Sequence, residues 1–102
     1  MFTIEIGSAE SPVENASESW INQQINRRRS EGATPCVKVR IREGVVDILL
    51  TTVVCAGVGG GGRAPTLQEK RIFDLWAKRG LNDPDFSGGQ VVAFLHQVRQ
   101  LL

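Results

Sequence analysis

The chain has 102 residues, of which 41% are hydrophobic and 23% charged, and a net charge of +1. That length suits one domain, residues 1–102, with a core able to fold without staples. The near-zero charge argues against a dedicated nucleic-acid binder, and no apolar run reaches the roughly 18 residues of a membrane span.

The start, MFTIEIGSAE, has neither a basic nor a hydrophobic leader region, so no signal peptide is expected. Residues 1–6 alternate Phe2, Ile4 and Ile6 with Thr3 and Glu5, and this predicts a first strand. Ser11-Pro12-Val13-Glu14 has the form of a capping box with proline at the first helical position. A first helix is therefore expected over residues 12–31, with Val13, Ala16, Trp20, Ile21 and Ile25 on one face. Arg27, Arg28 and Arg29 suit its last turn, and Gly32 suits its left-handed stop.

Val37, Val39 and Ile41 then alternate with Lys38, Arg40 and Arg42, the period of a half-buried strand. Glu43-Gly44 reads as a two-residue turn, and residues 45–54 are rich in β-branched side chains. That turn would set Arg42 opposite Val45, Arg40 opposite Asp47 and Val39 opposite Ile48. One face is then apolar, and the other carries Lys38, Arg40, Arg42 and Asp47 with Leu49 among them. A slip of one residue would bury three cations, so the facing is well specified.

Thr66-Leu67-Gln68-Glu69 is a second capping box, and the helix it opens carries Ile72, Phe73, Leu75 and Trp76. It stops at Gly80, with Leu81 placed to pack back on Trp76. Phe86 is the expected anchor of the turn that follows. Ser87-Gly88-Gly89-Gln90 opens a third helix with Val91, Phe94, Leu95, Val98 and Leu102 on one face. Trp20 and Trp76 are expected in the core.

The order β-α-β-β-α-α predicts an α+β two-layer domain, three helices on a small mixed three-stranded sheet. The first crossover would make the first strand parallel to a hairpin strand.

Two surfaces stand out as candidates. Residues 56–63, AGVGGGGR, join a strand to a helix. Backbone N–H groups of Gly59, Gly60, Gly61 and Gly62 suit an anion-binding nest, and Arg63 suits a bidentate clamp on phosphate or carboxylate. A plain connector is the competing account of the same glycines. Gly57 to Gly62 fits the glycine half of a P-loop, but Arg63-Ala64 stand where Lys and Ser or Thr are required, which argues against nucleotide hydrolysis. The second surface is the strand face Lys38, Arg40, Arg42 and Leu49, suited to an acidic partner or to another copy of the chain.

Catalytic machinery is not evident. Cys36 would face Thr51 in this register, too far from Cys55 for a disulfide, so two free thiols in a reducing, cytoplasmic setting are expected. Cys55 with His96 is the one thiol–imidazole combination, and nothing in the spacing joins them. No Cys/His cluster has metal-ligand spacing, and no cofactor motif is present.

Residues 55–102 resemble a group of short bacterial proteins carried on integron gene cassettes. The resemblance rests on Cys55, Gly59 to Gly62 with Arg63, Trp76, Gly80, Leu81 and Phe86. It implies a soluble bacterial accessory protein and assigns no catalytic residue. The sequence-level expectation is a non-enzymatic binding protein that self-associates, with a thiol enzyme using Cys55 and a charged-face interaction module as alternatives.

Overall fold

The computed structural model describes residues 2–7, 13–55 and 63–102. Its elements are β1 (Phe2–Ile6), β2 (Val13–Glu14), α1 (Glu18–Ser30), β3 (Val37–Glu43), β4 (Val46–Thr51), α2 (Leu67–Lys78) and α3 (Gly88–Leu101). The α+β class and the three helices are as expected. The sheet differs: it has four strands in the order β2-β1-β3-β4, and every pair is antiparallel.

The difference has one cause. The segment expected to begin the first helix instead turns back on β1, with Thr3 opposite Glu14 and Ile4 opposite Val13. Asn15 takes a left-handed φ of 48° and donates its N–H to Phe2 O. The helix starts only after Ser17, whose hydroxyl accepts the N–H of Trp20. This additional reversal at β2 means that β3 returns antiparallel to β1 rather than parallel.

The hairpin forms, with its register shifted by two residues. Glu43 pairs with Val46, so the turn is Gly44-Val45, with Gly44 at φ 57° in its first position. Arg42 now stands opposite Asp47, Arg40 opposite Leu49 and Val39 opposite Leu50. A shift of two preserves side-chain parity, so the inward set survives: Val37, Val39, Ile41, Val46, Ile48 and Leu50 are all buried.

These residues join Phe2, Ile4 and Ile6 beneath the helical layer. Ile21 and Ile25 enter from α1, Ile72 and Trp76 from α2, and Val91, Phe94, Leu95 and Val98 from α3. Trp76 meets Phe94 edge-on, ring centres 5.0 Å apart. Trp20 is only partly buried against this core, and Phe73 and Leu102 are exposed rather than inward.

The helix stops follow the sequence signals. Gly80, at φ 72°, lets Leu81 N–H reach Trp76 O while its own N–H reaches Ala77 O, and Leu81 is buried. Gly32 ends α1 in the same way, with Ala33 N–H on Arg28 O. Phe86 is buried as expected, with the Arg29 guanidinium over its ring.

The cysteines also differ from expectation. Cys36 and Cys55 form a disulfide, their Cα atoms 4.9 Å apart. β4 ends at Thr51, and a turn with Cys55 N–H on Thr52 O folds the chain back towards Cys36. Thr52 fixes this corner: its N–H donates to Val37 O and its hydroxyl accepts Val37 N–H, both at 3.0 Å. No free cysteine remains, which removes the basis for a reducing, cytoplasmic setting.

Candidate functional site: the outer face of the sheet

Strand parity turns one side chain in two away from the helices. On β3 these are Lys38, Arg40 and Arg42, and on β4 they are Asp47, Leu49 and Thr51. β1 contributes Thr3 and Glu5, because Thr3 pairs with Arg40 and Glu5 with Lys38. Glu14 on β2 pairs with Thr3 and shares the face. A hollow of about 400 Å³ opens here, lined by Thr3, Glu5, Lys38, Arg40, Arg42 and Leu49. The structure therefore brings together all four residues expected on the interaction face. Thr3 and Glu5 complete it. Their outward direction was legible in the alternation of β1, but their place beside β3 required the antiparallel pairing.

Asp47 organises the basic column. Its Oδ1 accepts from Arg40 at 2.9 Å and lies 3.5 Å from Arg42 Nε. Arg42 is directly opposite, and Arg40 reaches across the diagonal. Leu49, 39% exposed, supplies an apolar floor beside these charges.

The glycine-loop candidate divides. Gly59, Gly60, Gly61 and Gly62 lie outside the described residues. Arg63 is described, and its guanidinium is engaged within the chain. Nη1 donates to Glu69 Oε1 at 2.7 Å, and Nη2 donates to Glu69 Oε2 at 2.6 Å. Nη2 also reaches Asp47 O at 3.2 Å.

Glu69 is fully buried, and all four of its acceptor positions are used. Oε1 takes Arg63 and the N–H of Thr66, and Oε2 takes Arg63 and the N–H of Asp47. The Arg63 fork holds the Glu69 carboxyl well below the usual carboxylate range, and the Asp47 and Thr66 N–H groups act the same way against the effect of burial. Glu69 in turn raises the Arg63 pKa. The sequence showed Glu69 only as the last residue of a capping box. It gave no sign that an arginine six positions earlier would share that carboxylate.

The triple arginine of α1 is likewise structural. Arg27 donates to Gln24 Oε1, Arg28 to Ile6 O, and Arg29 to Pro84 O and Phe86 O. His96 Nε2 sits 2.6 Å from Glu18 Oε1, linking α3 to α1 at the surface. Cys55 is held in its disulfide, so the expected alternative of a Cys55 thiolate has no thiol to use. Among the described residues, no group of three His, Cys, Asp or Glu side chains is placed to hold a metal ion. No described helix is long and apolar enough to cross a membrane. This chain matches no family model, no curated protein and no solved structure.

Proposed function

We propose that this protein is a non-enzymatic binding module whose working surface is the outer face of its sheet. The observation that carries this is the hollow of about 400 Å³ between β1, β3 and β4, with Lys38, Arg40, Arg42 and Leu49 around it. The mixture of long charged side chains with one half-exposed leucine on an open strand face is the kind of surface a partner covers. The engagement of Arg63 by Glu69 favours this face over the glycine loop as the principal site. An accessory role of the kind implied by the integron-cassette resemblance belongs to the same reading.

Backbone amide NMR tests it in two titrations, one against the chain's own concentration and one against a polyglutamate peptide. Shift changes centred on Lys38, Arg40, Arg42 and Leu49 are expected in at least one. Changes confined to the helical layer, or none in either titration, would overturn the proposal.

A further inference from the structure

Resting on that reading, we infer that the occupant of the outer face is a second copy of this chain. The two copies dock face to face about a two-fold axis running along the strands, between β1 and β3.

The charges on the face argue for it. Three are basic, Lys38, Arg40 and Arg42, all on β3. Three are acidic: Glu14 on β2, Glu5 on β1 and Asp47 on β4. The face as a whole is neutral, so it has little long-range attraction for an acidic partner. Its signs are nevertheless sorted by strand, with acid on β2, β1 and β4 and base on β3 alone. A neutral face with sorted columns is complementary to another face of its own kind.

Symmetry then selects the arrangement. A two-fold axis across the strands would lay β3 on β3 and set cations against cations. An axis along the strands reverses the column order and keeps each residue at its own height. Placed midway across the sheet, it overlaps all four strands and lays β1 of one copy over β3 of the other. Glu5 and Lys38 are register partners, so Glu5 of each copy then lies over Lys38 of the other, and Thr3 over Arg40. Face-packed sheets stand roughly 10 Å apart, a gap that a lysine and a glutamate reaching towards each other can span.

Sedimentation equilibrium of the full, disulfide-bonded chain tests this from micromolar to millimolar concentration. Four proteins are compared: the unaltered chain, Glu5→Lys, Lys38→Glu and the double exchange. The unaltered chain should dimerise, more weakly as salt rises. Each single exchange should weaken the dimer roughly tenfold or more, since the axis repeats every like-charge contact. The double exchange should recover most of that loss.

Zero-length carbodiimide coupling of mixed light and isotope-labelled unaltered chains gives a check that needs no variant. A Glu5–Lys38 link between chains of different mass is expected. A chain that stays monomeric throughout, a dimer indifferent to both exchanges, or Glu5–Lys38 links only within one chain would each overturn the inference. A monomer that still shows polyglutamate shifts on the face leaves the binding-module reading standing. A monomer without them removes both.

Discussion

The backbone N–H of Asp47 donates to the carboxylate of Glu69 at 2.9 Å. Asp47 lies on β4, an edge strand, next to the pair that closes the hairpin. Antiparallel alternation turns the N–H and C=O of Asp47 away from β3 and out of the sheet. Glu69 accepts that N–H, and Arg63 donates to that C=O. The buried Glu69 carboxylate and its half-exposed partner Arg63 thus meet both backbone groups as a neighbouring strand would, at a point where an open edge invites unwanted pairing.

Glu69 sets an acid limit on stability. Its folded pKa lies below its unfolded value near 4.3, so the unfolded chain takes up the proton first as pH falls. The stabilisation is complete above about pH 4.3 and is lost progressively below it. Glu69→Gln should be less stable at pH 7, and its stability should fall less between pH 5 and pH 2. Thermal melts across that range check this, and parallel curves for the two proteins would contradict it.

Arg63 and Arg42 make a useful contrast, since both are cations close to Asp47. Arg42 is largely exposed, and Arg42→Ala should change stability by less than about 0.5 kcal/mol. Arg63→Ala leaves a fully buried carboxylate without its cation, so its loss should be several times larger. Arg63→Lys should fall between, because a point charge cannot bridge both carboxylate oxygens and Asp47 O as the fork does. Urea unfolding of the three variants orders them, and equal effects at the two arginines would remove the structural role given to Arg63.

The disulfide closes a loop across a sequence separation of 19. Chain entropy alone makes that closure worth about 3 kcal/mol. The intact chain should take up no iodoacetamide, and after reduction it should take up two equivalents. Urea unfolding with and without a dithiol reductant should show the loss in stability. Rapid alkylation of an unreduced sample would refute the bond.

How much was legible in the sequence depended on the physical signal. The two faces of the hairpin were legible because parity alone decides them, and a two-residue register error leaves parity intact. The helix stops at Gly32 and Gly80 were legible because each rests on one glycine in the left-handed region. The start of α1 lies later than its local signals place it. Ser11-Pro12 satisfied the local rules for a helix start, while pairing of Val13 and Glu14 with β1, a non-local contact, took precedence. The disulfide is not legible because residues 51–54, TTVV, have the composition of a strand continuing past Thr51. The reversal that brings Cys55 to Cys36 depends on Thr52 binding Val37, which no local pattern announces. Arg63 looks open to an anion in the sequence because its partner, Glu69, carries only the local signal of a cap.

Two adjacent glycines separate packing from propensity. Gly88 opens α3 against α1, and a Cβ there would stand 2.1 Å from Asn22 Oδ1 and 3.0 Å from Asn22 Cα. The side-chain oxygen can swing away, but the backbone atom cannot, so Gly88→Ala should push α1 and α3 apart. A cost of about 1–3 kcal/mol is expected. At Gly89 the nearest atom, Ser87 Oγ, is 3.7 Å away, and the backbone is not left-handed. Gly89→Ala should therefore be neutral, or stabilising by about 0.4–1 kcal/mol, because alanine restricts the unfolded chain and suits a helix. Opposite signs in matched denaturant melts would confirm the close contact of α1 with α3. Equal effects at the two positions would mean the helices do not meet at Gly88.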